Sequence, residues 1–329
     1  MRAAVFTQYG APDVLHLQEV EKPTPKANEI LVRLLASTVT PPDCAFRQAD
    51  PFIIRFMNGL TRPKNGILGG LLSGEVEAVG PDVTAFKPGD LVFGSTGPQF
   101  GAHAEYVILP AEGVVAPKPA NMTHEEAAGL PEALTPLYFL RELAHLQPGQ
   151  TILINGASGS VGTYGVQLAK HLGAEVTAVC STKNVELVKS LGADHVIDYT
   201  REDFTQRGDR YDVIFDAVGK SSFAKSARAL HPDGLYLTTA PTFAVGLQML
   251  WTARFGRKKA ILGFAGFHQK KEDLILIQEL AEAGKLQSVI DRRYPLEQIV
   301  DAHRYVDQGH KVGNVVITFA PNRPLQAAA

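Results

Sequence analysis

The chain has 329 residues, 45% of them hydrophobic and 20% charged, with a formal net charge of -2. That length suits two domains of ordinary size, each with its own core, and the balanced charge argues against nucleic acid as a partner. The two cysteines, Cys44 and Cys180, match no CxxC or CxxH spacing, which removes a disulfide framework and a structural zinc site; a reducing, cytoplasmic setting without membrane contact is expected, because no signal segment opens the chain and no window reaches the ~20 apolar residues that span a bilayer.

From residue 1 to about 121, short alternating runs are broken by Pro and Gly: "AAVFTQYG", "ILVRLLASTV", "SGEVEAVG", "GDLVFG" and "HAEYVILP". This pattern predicts an antiparallel, barrel-like β domain, with "KPGD" at 87–90 as a turn. The period then changes. Thr123, with Glu126 three residues on, forms a capping box ahead of helical spacing. Beyond "QPGQ" at 147–150, the apolar runs "TILIN", "EVTAVC", "HVIDY" and "YDVIFDAVG" alternate with helical segments, the pattern of a parallel sheet covered on both faces. A turn "HPDG" leads into "LYLTT", and "AILGF" follows. Helices are expected over 271–286 and from Leu296, and the strands "SVIDRRYP" and "VGNVVITF" are expected partly to extend the parallel sheet and partly to return to the β domain. The fold class is α/β: residues 1–122, completed by 265–329, form the β domain, and 123–264 form a doubly wound domain. The tail "PNRPLQAAA" reads as loosely held.

The stretch "TILINGASGSVGTYGVQLAKHLG" carries the chemistry. Ala157, Gly159 and Gly162 spell AxGxxG, a dinucleotide fingerprint with Ala in the first glycine's place. Gly159 lets backbone approach a pyrophosphate and Gly162 lets the helix pack closely on the strand. The amides of Ser160 and Val161, at the helix start, face the anion. An apolar strand before, a helix after and a second strand beyond supply the required context; a tight turn without a nucleotide is the competing reading. The second strand ends "AVCSTKN". It offers no Asp or Glu for a ribose 2′-hydroxyl, whereas Ser181 and Lys183 can hold a 2′-phosphate, which favours NADPH over NADH. Lys183 as a solvated surface lysine is the alternative. Val218, Gly219, Thr239 and Phe264 fall at strand ends on the carboxyl edge, where a cofactor should lie.

Two further segments stand out. "AVGLQMLWTARF" presents an apolar face that lines a substrate entrance or a dimer contact if exposed, or packs as a buried helix. "GRKK", at 256–259, is the densest positive cluster and reads as a solvated loop.

The landmarks "MRAAVFTQYG", "SGEVEAVGPDVTAFKPGDLVFG", "GAHAEYVILP", the glycine stretch, "LGADHVIDY", "YDVIFDAVG" and "GHKVGNVVITF" occur in order over nearly the whole chain. Together they resemble the zinc-independent, quinone-oxidoreductase-like branch of the medium-chain dehydrogenase/reductases. The resemblance implies a GroES-like β domain built from both chain ends, a Rossmann domain between them, an active-site cleft between the two, and a homodimer. Zinc-using members place a cysteine where this chain has Pro41, and a His-Glu pair in the segment that here contains Leu71 and Leu72. Cys44 is out of register with the family's ligand, and Ala128 breaks an HExxH pattern at His124. No metal is expected.

Without a Lewis acid, an alkoxide loses its usual stabilisation, and hydride transfer from NADPH to an electron-poor acceptor, a quinone or an α,β-unsaturated carbonyl, becomes the easier chemistry. Residue by residue, the resemblance puts Thr40 of "TPPD" beside the nicotinamide in place of an Asn. Asp43 of the same segment is equally readable as a turn-capping carboxylate. Thr135 would lie near nicotinamide and ribose, or bond its own helix backbone. Tyr199 would stack by the adenosine phosphate, or be a strand-end core residue. His103, where relatives have Tyr, would donate a proton if it faces the cleft and is otherwise structural. Asn314 follows a "GK"-like segment that has lost its lysine. The competing functions are an alcohol or aldehyde oxidoreductase and a cofactor-binding protein without turnover.

Overall fold

The computed structural model describes residues 1–64 and 66–319; the tail expected to be loosely held, at 321–329, lies outside the described residues. The chain forms two compact units. One comprises Met1–Pro131, Lys270–Gln278 and the chain from Ile290; the other comprises Glu132–Gln269 and Glu279–Val289.

In the first unit, strands Ile290–Pro295, Asn314–Thr318, Glu29–Val39, Leu71–Val79, Leu91–Ser95 and Val115–Pro117 lie side by side in that order, and Tyr106–Pro110 also pairs with Glu29–Val39. Inward residues such as Ile30, Val32, Leu34, Leu72, Val76 and Val92 build its core, as alternation predicts. Both closing strands join this sheet and neither extends the parallel one. Val315 pairs with Val39 and Ile317 with Ser37, while Ile290–Pro295 runs parallel to its neighbour. The helix Ile299–Asp307 between them supplies the crossover that a parallel pair requires. The capping box forms as expected: Thr123 Oγ1 accepts from the Glu126 amide, and Glu126 accepts from the Thr123 amide.

Two histidines meet inside this unit. His103 is fully buried and donates Nε2–H to the Thr38 carbonyl at 3.0 Å. Its ring lies edge-on to His303, 5.4 Å between centroids. His303 Nδ1 is 3.6 Å from the Cys44 thiol, a thiol that burial keeps protonated. Burial, then the nearby His103 and Arg47, hold the His303 imidazole well below the usual histidine range.

The second unit is a six-stranded, all-parallel sheet. Counting its strands along the chain, the spatial order is 3-2-1-4-5-6: His195–Asp198, Glu175–Cys180, Thr151–Asn155, Tyr211–Asp216, Leu230–Thr238, Lys259–Leu262. Ile152, Leu153 and Ile154 are all fully buried, as a strand covered on both faces must be. The expected "HPDG" turn is instead an irregularity inside the strand Leu230–Thr238. Its register with Tyr211–Asp216 slips there, and Asp233 takes φ 69°. The helix Ser160–His171 starts hard against the turn after the first strand. A Cβ on Gly162 would stand 2.2 Å from the Gly156 carbonyl oxygen, and Gly156 itself needs φ 80°.

Two outcomes are expected. Gly162→Ala forces the helix off its turn and loses about 1–3 kcal/mol, read as a lowered urea midpoint at unchanged m-value. For His303, the unfolded chain takes up a proton near pH 6.5 while the folded one does not. Its contribution is therefore complete above that pH and is lost as pH falls, at up to about 1.4 kcal/mol per pH unit. Urea unfolding at pH 7.5 and 5.5 should show a steeper loss for the wild type than for His303→Leu.

Candidate nucleotide-binding and active site

The strand order reverses between Thr151–Asn155 and Tyr211–Asp216, and the carboxyl ends on either side of such a reversal form a crevice. Asp216 holds that crevice in shape. Its carboxylate is fully buried; Oδ1 accepts from Asn155 Nδ2 at 3.0 Å, and Oδ2 accepts from the Tyr236 hydroxyl and the Ser221 amide, each at 2.9 Å. Burial, with the Asp216 charge beside it, pushes the Tyr236 hydroxyl far up, so it remains a donor. Three elements are thereby tied to one carboxylate, and the 217–221 loop is held with Val218 exposed and Gly219 at φ 64°.

The glycine turn packs against the same loop. A Cβ on Gly156 would lie 2.4 Å from Val218 Cγ1, whereas one on Gly159 would meet nothing nearer than 3.5 Å. Gly159 thus faces open space at the start of a twelve-residue helix. The amides of Val161 and Gly162 in its first turn have no carbonyl one turn back. Ala157 is fully buried, and Ser160 nearly so, with Oγ 3.5 Å from Glu132 Oε1. This edge has the groups a dinucleotide would need: open backbone, helix-start amides and a positive dipole end.

The next strand ends lie alongside. The Tyr199 amide donates to the Cys180 carbonyl at 3.1 Å, which sets Tyr199 next to Ser181. Tyr199 is 57% exposed, so it is not a core residue. Lys183 is exposed and no described residue pairs with its ammonium. Asp198, under the same loop, has its carboxyl held low first by the Thr182 hydroxyl and then by Thr200. Asn184, which sequence reasoning missed, links the turns: its Nδ2 is 2.9 Å from Ser158 Oγ and 3.3 Å from Ser181 Oγ. On the other side of the reversal, Thr239 Oγ1 approaches the Ala217 carbonyl at 3.4 Å. Thr135 is half-buried on Leu134–Leu137. One turn on, Tyr138 stacks on His268 at 4.7 Å, and His268 Nδ1 donates to the carbonyl of the half-exposed Phe264. Neither Tyr138 nor His268 carries a sequence signal.

Thr40, Asp43, His103 and Asn314 belong to the first unit. Asp43 is a cap: fully buried, it accepts from the Thr40 amide (2.7 Å), the Thr40 hydroxyl (2.6 Å) and the Gly69 amide (2.9 Å). Thr40 therefore commits to Asp43 the proton that a substrate oxyanion would need. His103, expected to donate a proton if it faced the cleft, is enclosed and bonded to Thr38. Asn314 is buried at the start of its strand, beside Ile290. No group of three or more His, Cys, Asp or Glu among the described residues is placed to hold a metal.

The helix Phe243–Phe255 is apolar on both sides: Val245 is buried and Met249 packs against the core, while Leu247, Leu250, Trp251 and Phe255 stand exposed. "GRKK" is less free than its sequence suggests: Arg257 pairs with Asp233, while Lys258 and Lys259 bond the Ala227 and Thr252 carbonyls. A cavity of about 580 Å³ opens at the opposite, amino edge of the sheet, lined by Thr151, Glu175, His195, Arg207 and Tyr211 among others. Among its charges His195 pairs with Glu175 and Arg207 with Asp209, and it is remote from the strand ends where the chemistry is expected.

Residues 26–120 match the alcohol dehydrogenase GroES-like domain family, and residues 191–317 match the zinc-binding dehydrogenase family. The chain is 34% identical to a 2-methylene-furan-3-one reductase of Solanum lycopersicum, over 98% of this chain and 80% of that protein. It is 32% identical to a chloroplastic NADPH-dependent alkenal/one oxidoreductase of Arabidopsis thaliana, with the same coverages. The solved quinone oxidoreductase of Coxiella burnetii superposes with a TM-score of 0.85 at 31% identity, covering 97% of this chain and 99% of that one. Identity at this level along nearly the full length reflects common descent and not fold alone, and the chain belongs to the medium-chain dehydrogenase/reductase family, whose oxidoreductases bind nicotinamide cofactors, in its quinone-oxidoreductase-like branch.

Proposed function

We propose that the protein is an NADPH-dependent, zinc-independent reductase of quinones or α,β-unsaturated carbonyls. The observation that carries the cofactor choice is the loop after the second parallel strand, where Ser181 and an unpaired Lys183 stand in place of a ribose-binding carboxylate. When bound, the nicotinamide supplies hydride. The chain's own residues bind and orient it: the Val161 and Gly162 amides meet the pyrophosphate over Gly159, with Ala157 and Ser160 shaping the turn. Ser181 and Lys183 take the 2′-phosphate, with Tyr199 flanking. Val218, Gly219, Thr239, Phe264 and Thr135 border the nicotinamide half.

A zinc ion does not fit the donor set, since Pro41, Leu71 and Leu72 offer no ligand atoms and Cys44 is buried against His303. No step is therefore assigned to a metal. With Thr40 bonded to Asp43 and His103 enclosed, the proton that completes reduction comes from solvent. The names of the relatives support an enone or quinone as acceptor. In this reading the second unit binds the nucleotide, and the first is the GroES-like catalytic domain that the resemblance implies, with no proton-transfer step assigned to its residues. The family resemblance supports a homodimer, and we place it in the cytoplasm; no described helix is long and apolar enough to cross a membrane.

The test is oxidation of NADPH and NADH against a panel of quinones, enones, aldehydes and alcohols, with and without a chelator. Turnover confined to the first two acceptor classes and indifferent to chelation is expected. Chelator sensitivity would sink the zinc-free assignment, and tight NADPH binding with no turnover would favour a binding protein. Lys183→Glu should lower kcat/KM for NADPH about ten- to a hundredfold, the worth of a charged hydrogen bond, and leave NADH nearly unchanged.

A further inference from the structure

Asn184 stands at the N-cap position of the helix Val185–Ser190, yet its side chain does not cap that helix. It is 8% exposed and turned the other way. Nδ2 lies 2.9 Å from Ser158 Oγ, in the glycine turn after the first strand, and 3.3 Å from Ser181 Oγ, the first residue after the second strand. An amide nitrogen has two protons and no acceptor capacity, so both serine oxygens accept here and each serine keeps its own hydroxyl proton to donate. No described residue takes either proton. The 3-10 turn Thr182–Asn184 leads directly into this helix, and the Asn184 amide joins the two turns that flank the proposed nucleotide site.

We propose that Asn184 is a positioning residue for the cofactor. By donating to both serines it sets their hydroxyls as donors to phosphoryl oxygens, Ser158 toward the pyrophosphate and Ser181 toward the 2′-phosphate, and it fixes the spacing of the two turns. The Ser181 half of this rests on the NADPH reading above; the Ser158 half needs only a dinucleotide.

The measurement is the dissociation constant of NADPH and of NADH, by calorimetry without acceptor, for the wild type, Asn184→Leu, Ser158→Ala, Ser181→Ala and their combinations. Asn184→Leu should weaken NADPH about tenfold and NADH about threefold, because loss of a positioned hydroxyl donor costs a fraction of a hydrogen bond at each end. The ratio of the two constants then falls, a change that a general loss of stability does not produce. Added to the double serine variant, Asn184→Leu should cost less than about twofold more, since coupled residues are non-additive. Wild-type constants in a folded Asn184→Leu protein, or losses that multiply in full, would overturn the proposal.

If the leucine variant does not fold, Asn184→Asp keeps the shape but accepts both hydroxyl protons. It should weaken NADPH at least about tenfold, and less in a Ser181→Ala background; equal weakening in both backgrounds counts against the proposal. Should the wild type bind NADPH and NADH equally, the NADPH reading fails on its own. Asn184→Leu must then still weaken both nucleotides through Ser158, and the proposal falls if it does not.

Discussion

The helix Ser160–His171 can begin where it does only because Gly162 has no side chain. Its Cα side faces the Gly156 carbonyl so closely that a methyl group would be driven to 2.2 Å, well inside any contact a carbon tolerates. With that approach allowed, the first-turn amides stand directly over the end of the strand Thr151–Asn155, and Gly159 is left as open backbone in front of them. The position of the proposed anion site follows from the packing, since a helix held even a methyl's width farther off would carry its N–H groups and dipole away from the strand ends.

The same edge contains a fully buried carboxylate, and burying a charge is costly unless its oxygens are bonded. Asp216 meets that condition with an amide side chain, a phenol and a backbone N–H, each from a different element. Charge-assisted bonds of this kind are stronger and shorter than neutral ones, so the network fixes the loop bearing Val218 and Gly219 against the turn bearing Gly156. The glycine turn and the Asp216 network are complementary: one sets where backbone is open, the other sets which loop closes the far side.

Several of these features are legible in the sequence because they are local. The Ala157, Gly159, Gly162 spacing states a steric demand within six residues, the Thr123 and Glu126 pair states a cap within four, and continuous apolar runs state that both faces of a sheet are covered. The remainder depends on partners far along the chain. His103 looks like a candidate proton donor until Thr38 and His303 enclose it. "HPDG" looks like a turn until the pairing of Tyr211–Asp216 with Leu230–Thr238 absorbs it as a register slip. The closing strands carry no mark of which sheet they join, because an edge is chosen by pairing with Glu29–Val39 and not by composition. Asn184 and Asp216 carry no mark of their partners, because their bonds to Ser158 and Asn155 span 26 and 61 residues.

The first unit bears on the chemistry through what it withholds. A carboxylate at Asp43 suggests a base or a ligand, but three donors already occupy its oxygens, and one of them is the hydroxyl that would otherwise serve an oxyanion. Freeing either group would leave a buried acceptor unpaired, at a cost of about 1–3 kcal/mol or more for a charged one. A reaction that needed Thr40 or Asp43 to exchange a proton at each turnover would meet that cost every cycle. Reduction of a conjugated acceptor makes no such demand, because the negative charge is delocalised as the hydride arrives and water can protonate the product afterwards. The proposed reaction therefore asks the scaffold mainly to hold a hydride donor in place, a task that an open glycine turn backed by a buried carboxylate suits.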